Sequence, residues 1–309
     1  METARDFNPA RKTNATLSAA SNPATISDHE MSEIRALIEH RSGVLFEGAR
    51  ERSLAARVRA HMAEKGWANG ARLLRALHSS NVEFDGLLQR VLTQETSFFR
   101  YPDVFDALQK RVLPELQKSK RQQDVRSLRI WSAGCASGEE PYSIAIAVLE
   151  SLTHADSWKI SILATDISRT ALQHAERGSY PRRRLQGLTA AQIEACFSRE
   201  NGEYAIRPQI RNLISFAPIN LADAVYPGRF DCIFCMNVLI YFSAERRAAL
   251  IQRFYEYLEP GGFLFLGHAE TVNGTAVNFR TLVHRDARVF QRPATAGAED
   301  GTTEGRNVS

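Results

Sequence analysis

The sequence predicts a doubly wound α/β sheet preceded by a small all-α domain. Between residues 27 and 92, apolar side chains recur at helical spacing in four short segments. From residue 128 onward, short apolar runs typical of strands alternate with amphipathic helical segments. Helices with one apolar stripe pack against each other, and strand–helix alternation is typical of a sheet covered by helices.

The composition favours a globular protein of one or two domains. Of its 309 residues, 44% are hydrophobic and 24% are charged, and the net charge is only +4. This charge gives little support to a nucleic-acid partner. The longest apolar run, residues 230–242, is shorter than the ~20 residues that a spanning helix needs. With no secretory signal in view, we expect a cytoplasmic protein without membrane insertion.

The four cysteines do not form a pattern typical of disulfides or of a metal site. Cys232 and Cys235 have CxxC spacing within an apolar run. On a strand, residues three apart point to opposite faces. We therefore expect buried structural cysteines and no bound metal.

The helical domain is predicted over residues 27–92. Ser27 and Glu30 have the spacing of a capping box, and Gly43 is a natural helix end. Further helices are predicted over residues 49–65, 71–78 and 82–92. Residues 1–26 and 293–309 lack apolar periodicity and are predicted to be disordered tails, and residues 93–127 form a junction with a linker helix.

The sheet domain is predicted over residues 128–292. Its strands are expected at residues 128–133, 158–165, 230–236 and 263–267, with helices over 139–152, 168–177 and 243–258. Residues 180–218 break this alternation. A short helix over 189–197 and two β-like runs, 204–207 and 210–216, are interpreted as an inserted hairpin, and such insertions often carry recognition.

The loop after the first predicted strand, residues 133–140, is a candidate ligand site. Its small residues let backbone amides approach a ligand at a helix N-terminus, but its glycines do not match the dinucleotide fingerprint GxGxxG. Glu139 and Glu140 suit a positively charged ligand such as S-adenosylmethionine. Alternatively, they are acidic residues that stabilise the start of a helix.

Polar residues also follow the other predicted strands. Asp166 is positioned to accept hydrogen bonds from ribose hydroxyls or to cap the next helix. Asn220-Leu221 either contacts an adenine edge or forms a turn. Asn237 ends an apolar strand and is followed by Tyr241, which makes this strand end a candidate for ligand or substrate contact.

Two segments outside the sheet have unusual composition. The junction TQETSFFR, residues 93–100, combines hydroxyls, two phenylalanines and Arg100. It is either a ligand site between domains or an apolar linker, and Arg100 is suited to hold a carboxylate. Residues 50–75 contain seven Lys or Arg against two Glu. They form a solvated face, a docking face for an acidic helical partner, or a nucleic-acid contact.

Taken together, these motifs resemble those of the CheR family, the chemotaxis receptor glutamate methyltransferases. The resemblance covers residues 34–290. It is strongest in five motifs: TQETSFFR (93–100), WSAGCASGEEPYS (131–143), ATDI (164–167), Asn220-Leu221 and FDCIFCMNVLIYF (230–242). The sequence GHAE at residues 267–270 also resembles the family.

The resemblance implies an S-adenosylmethionine-dependent methyltransferase sheet with a small β-hairpin insertion. The implied product is a glutamate methyl ester on a chemotaxis receptor. The basic helix 49–65 would meet the receptor's cytoplasmic helices, and in some members the hairpin, here 204–216, docks a receptor C-terminal peptide. Arg100 and Tyr241 would face the reacting centre. The implied cofactor shell is Gln94, Thr96, Arg100, Glu139, Glu140, Asp166, Asn220, Leu221, Met236 and Asn237, with Gln94 replacing the usual Asn and Met236 the usual Arg.

The implied reaction needs no general base, because a glutamate with its unperturbed pKa of ~4.3 is already ionised near pH 7. Catalysis would come from in-line alignment of the reacting atoms. Three alternatives stay open: methylation of nucleic acid, methylation of another protein, and a non-catalytic receptor-binding module. Enzymes that methylate base amines usually carry Asn-Pro-Pro-aromatic where this chain has Asn-Val-Leu-Ile-Tyr at residues 237–241.

Overall fold

The computed structural model describes residues 25–92, 95–223 and 228–294. Gln94 and most of both predicted tails lie outside these residues. The helices are Asp28–Ser42 (α1), Ala49–Glu64 (α2), Gly70–Ser79 (α3), Asn81–Val91 (α4), Pro102–Ala107 (α5), Leu113–Gln122 (α6), Glu139–Ser151 (α7), Arg169–Arg177 (α8), Ala190–Cys196 (α9), Pro208–Arg211 (α10) and Ala244–Tyr257 (α11). The strands are Ser127–Ala133 (β1), Lys159–Asp166 (β2), Ser179–Tyr180 (β3), Phe197–Glu200 (β4), Glu203–Ile206 (β5), Ile214–Pro218 (β6), Phe230–Cys235 (β7), Leu258–Leu266 (β8), Arg280–His284 (β9) and Ala287–Gln291 (β10).

Seven strands form the main sheet in the order β6-β2-β1-β7-β8-β10-β9. The first five of these strands pair in parallel, whereas β10 runs antiparallel to both β8 and β9. The predicted α/β fold with an N-terminal helical region is therefore confirmed. In the sheet, β1 lies between β2 and β7. The carboxyl ends of these three strands therefore border a crevice where ligands commonly bind.

The central strand β7 shows why the sequence there is apolar without alternation. All six of its residues are buried, as expected for a parallel strand covered on both faces. Cys232 packs into the core on one face of the sheet, while Cys235 belongs to the core on the other. Both cysteines are free and buried, as the spacing predicted.

The helices α1–α4 pack around a core of their own, and the end of α1 and the start of α2 border the crevice. Ser27 and Glu30 form the predicted capping box, and Gly43 ends α1 with a φ of 76°. A Cβ at Gly43 would lie 2.7 Å from the Cβ of Ala222, so glycine also permits the close approach of the helices to the sheet domain. The predicted N-terminal tail is too long by its last residues, because the N–H of Thr25 donates to the carbonyl of Ala68 (3.0 Å).

The predicted hairpin over residues 204–216 is wrong in its pairing. The hairpin consists of β4 and β5, joined at Asn201-Gly202, whose φ angles of 49° and 84° are typical of the two-residue turn that Asn-Gly favours. Pro208 instead begins the short helix α10, where its missing N–H has no cost. Beyond it, β6 pairs in parallel with β2 at the edge of the main sheet.

Two further elements were missing from the prediction. Strands β9 and β10 form a C-terminal hairpin. The sequence analysis had predicted no strands in residues 280–291. A π-helical turn, Leu108–Val112, joins α5 and α6 in the predicted junction. Within the three described stretches, none of the helices is both long and apolar enough to cross a bilayer.

Candidate active site

A cavity of about 360 Å³ opens where β1, β2 and β7 end and α1 and α2 approach the sheet. Its volume lies within the range of ~300–1,000 Å³ that is typical of small-molecule and cofactor sites. Of the residues predicted for the site, those that line this cavity are Thr96, Arg100, Glu140, Asp166, Asn220, Leu221, Met236, Asn237 and Tyr241.

The loop after β1 is held against the end of β2. The N–H groups of Gly134 and Cys135 donate to the carbonyl of Thr165, at 2.8 and 2.9 Å. Gly134 has a φ of 89°, and a Cβ there would lie 2.4 Å from Cγ2 of Val238. Glycine is therefore required at this position both by the backbone conformation and by the turn that follows β7.

Asp166 joins the same loop to the start of α8. Its carboxylate accepts from the N–H groups of Ala136 (2.9 Å) and Ser168 (2.8 Å). Burial raises the pKa of Asp166, while these backbone hydrogen bonds lower it. The capping role for α8 belongs to Ser168, whose hydroxyl accepts from the N–H of Ala171. Asp166 thus contributes a fixed carboxylate to the cavity wall.

The two adjacent glutamates of the loop have different environments. Glu139 is fully buried outside the cavity, where it accepts from the Ser137 hydroxyl (2.7 Å) and pairs with Arg184 (3.3 Å). Glu140 lines the cavity and accepts from the Ser132 hydroxyl (2.6 Å). Burial, opposed mainly by this hydrogen bond, raises the pKa of Glu140 to about 7. Glu140 therefore lines the cavity, whereas Glu139 stabilises the loop from outside the cavity through Ser137 and Arg184.

Asn220 begins a turn, one of the two alternatives predicted for it, and also links the two parts of the protein. Its side-chain oxygen accepts from the N–H of Ala222 (3.0 Å), and its amide donates to the carbonyl of Arg41 (3.1 Å) at the end of α1. Leu221 beside it is 6% exposed and packs into the core. These residues shape the wall between the helices and the sheet.

Arg100 and Tyr241 line the same cavity. Arg100 donates to the carbonyl of Glu95 and lies 5.5 Å from the ring centre of Tyr101. Burial raises the pKa of Tyr241, so its hydroxyl stays protonated near neutral pH. The guanidinium of Arg50 lies 5.0 Å from the ring centre of Tyr241, and Arg50 also lines the cavity. The sequence had indicated Arg50 only as part of a basic helix.

The turn after β7 carries Asn237 into the cavity in an unusual conformation, with a φ of 62°. The Tyr101 hydroxyl donates to the side-chain oxygen of Asn237 (2.8 Å), and the Tyr101 ring stacks on His268 at 4.4 Å. Glu270 accepts from the N–H of Asn237 (2.9 Å). The motif GHAE contained Glu270, but sequence reasoning assigned it no role.

The basic helix α2 is only partly a free cationic face. Arg57 donates to the carbonyls of Arg90 and Val91, and Lys65 pairs with Glu83 (2.9 Å). The acidic partner of Lys65 therefore comes from outside residues 50–75. Arg52 and Arg59 are exposed.

Comparison with known proteins agrees with this geometry. The family described as "CheR methyltransferase, SAM binding domain" matches residues 94–287. A chemotaxis protein methyltransferase of Borreliella burgdorferi is 32% identical over 255 residues, covering 81% of this chain and 90% of the relative. Chemotaxis protein methyltransferase 1 of Pseudomonas aeruginosa is 35% identical over 260 residues, covering 81% and 92%. The chain therefore belongs to the CheR family of chemotaxis protein methyltransferases and uses S-adenosylmethionine as its cofactor.

Proposed function

We propose that this methyltransferase acts on glutamate side chains of chemotaxis receptors and forms glutamate methyl esters and S-adenosylhomocysteine. The observation that carries the proposal is the pairing of two chemistries in one cavity. Glu140 and Asp166 suit a cationic donor, whereas Arg100 and Tyr241 suit an anionic acceptor. A carboxylate acceptor fits this division better than an uncharged base or amine.

The cavity residues fit S-adenosylmethionine. The carboxylate of Glu140 has the Ser132 hydroxyl as its hydrogen-bond partner and a pKa raised by burial to about 7, so a nearby positive charge would favour its ionised form. Glu140, Asp166 and Asn237 would hold the cofactor. When bound, S-adenosylmethionine supplies a methyl group on a positively charged sulfonium.

The acceptor side needs orientation rather than proton abstraction. A glutamate with its unperturbed pKa of ~4.3 is ionised near neutral pH, and the described residues that line the cavity include no histidine. A guanidinium can bind a carboxylate through two parallel hydrogen bonds, and the Tyr241 hydroxyl would serve as a further donor. Holding the acceptor in line for displacement would supply most of the rate enhancement.

Two surfaces are proposed to bind the receptor. Helix α2 presents Arg52 and Arg59 to solvent, while Arg50 on the same helix reaches Tyr241 in the cavity. An acidic helical segment bound there would pass the cavity. The second surface is the hairpin β4–β5, in which β4 is an edge strand. An edge strand can accept an extended peptide by strand addition, which suits a short tethering segment.

The proposal is tested with labelled S-adenosylmethionine, purified receptor cytoplasmic fragments and nucleic acid in parallel reactions. We expect label on the receptor, released as methanol by mild base, because esters are base-labile. Arg100→Ala and Tyr241→Phe should each lower the methylation rate by roughly tenfold or more, as expected for the loss of one orienting hydrogen bond. Label on nucleic acid, base-stable label, or unchanged rates in both variants would contradict the proposal.

A further inference from the structure

The turn after β7, residues 237–241, carries Asn237 and Tyr241, which both line the cavity. Asn237 has a φ of 62°, a region that non-glycine residues seldom adopt. The 3-10 turn that follows, Leu239–Tyr241, begins at Val238 without a side-chain cap. Backbone N–H groups at the start of such a turn need acceptors from elsewhere.

Glu270 supplies those acceptors from the loop after β8. Its Oε2 accepts from the N–H groups of Asn237 (2.9 Å) and Gly267 (2.7 Å), and its Oε1 accepts from the N–H of Ile240 (3.2 Å). A single carboxylate thus ties two segments that are 33 residues apart in sequence. Burial raises the pKa of Glu270, whereas these backbone hydrogen bonds lower it and favour the acceptor-only carboxylate.

The packing around this carboxylate leaves little room for movement. A Cβ at Gly267 would lie 2.8 Å from Oε2 of Glu270 and 2.9 Å from the backbone nitrogen of Asn237. On the other side, the Tyr101 hydroxyl fixes the side-chain oxygen of Asn237. Glu270 therefore holds the backbone of the turn, and Tyr101 holds the side chain of Asn237.

We infer that Glu270 is a positioning residue for methyl transfer, which holds the turn 237–241 so that Asn237 and Tyr241 face the cavity. The inference rests on the proposed roles of those two residues. It assigns Glu270 no contact with cofactor or substrate. It predicts that losing one carboxylate oxygen will weaken cofactor binding and turnover even in molecules that stay folded.

The test compares Glu270→Gln with substitution of a second carboxylate, on the strand β7 that leads into the turn. Gln has the same size as Glu, but its NH₂ group is a donor. It would face a backbone N–H from which Glu270 accepts a hydrogen bond, so that bond is lost. Asp231, 4% exposed, lies at the opposite end of β7, where it accepts from the N–H of Arg129 (2.8 Å) and pairs with Lys120 (2.8 Å). Asp231→Asn therefore removes a comparable charge far from the turn.

Cofactor Kd by calorimetry and kcat should be measured at a temperature at which circular dichroism shows both variants to be folded. We expect Glu270→Gln to raise the Kd for S-adenosylmethionine about tenfold or more and to lower kcat. Asp231→Asn should lower thermal stability but keep Kd and kcat within about twofold of the wild type. Equal Kd and kcat in Glu270→Gln and Asp231→Asn would overturn the inference.

Gly267→Ala provides a second variant if Glu270→Gln does not fold, because the added Cβ displaces the same contacts without removing a charge. It should show the same selective loss of cofactor binding. Asn237→Ala tests the proposed cofactor site separately from the inference about Glu270. If it leaves cofactor binding unchanged, the proposed site and the inference are both wrong. If it weakens binding while Glu270→Gln and Gly267→Ala do not, only the inference is wrong.

Discussion

The carboxyl group of Glu140 is expected to make cofactor binding depend on pH. Its side chain lines the cavity, and burial raises its pKa to about 7. Only the ionised form attracts the positive charges of S-adenosylmethionine. With this pKa, the ionised fraction rises from about 9% at pH 6 to about 91% at pH 8. Through Glu140 alone, the Kd should therefore fall roughly tenfold over this interval, which corresponds to about 1.4 kcal/mol.

The assay is calorimetric titration of wild type and Glu140→Gln with S-adenosylmethionine at pH 6, 7 and 8 and constant ionic strength. Gln keeps an oxygen that can accept from the Ser132 hydroxyl but has no charge. The cofactor's own amino group titrates at about 8, and this affects both proteins equally. The ratio of the two Kd values therefore isolates Glu140. If the Kd for S-adenosylmethionine changed with pH to the same extent in wild type and in Glu140→Gln, the reasoning would be refuted.

The same shift predicts a stability difference in the cofactor-free protein. Because the pKa of Glu140 rises from 4.5 to about 7 on folding, its contribution to stability is fully present below 4.5 and is lost as pH rises through about 7. The full difference is about 3 kcal/mol. Glu140→Gln should therefore be more stable than wild type at pH 8, by up to this amount, in chemical denaturation without cofactor. A less stable variant at pH 8 would contradict the buried-charge argument.

Two further predictions concern the loop and the basic helix. Gly134→Ala should lower the free energy of unfolding by about 2 kcal/mol more than Gly202→Ala. The φ angles of Gly134 and Gly202 are similar, 89° and 84°, but of the two only Gly134 would place its Cβ against another atom. Equal losses in denaturation would therefore show that the contact with Val238 is unimportant. Reversing the charge of Arg52 and Arg59 to Glu should slow receptor methylation by about fivefold at low salt with an unchanged cofactor Kd. The same change at residues 118 and 121 of α6 is the control, and an equal effect there would indicate net charge rather than docking by α2.

Local signals in the sequence were sufficient for most of the helices and strands. The capping box at Ser27 and Glu30 and the helix end at Gly43 depend on residues within a few positions of each other. The apolar run of β7 indicated a fully buried strand. The pairing of the predicted hairpin was wrong because a local signal had been missed: Asn201-Gly202 identifies the β4–β5 turn.

The sequence alone predicts the fold class, the family and a set of polar residues at the ends of β1, β2 and β7. The division of roles among these residues is visible only in the folded chain. The tertiary structure turned Glu140 into the cavity and Glu139 toward Arg184, brought Arg50 to Tyr241, and placed Glu270 against the backbone of Asn237. These outcomes depend on contacts between segments far apart in the chain, and no local periodicity or spacing records which side chain of an adjacent pair faces a cavity.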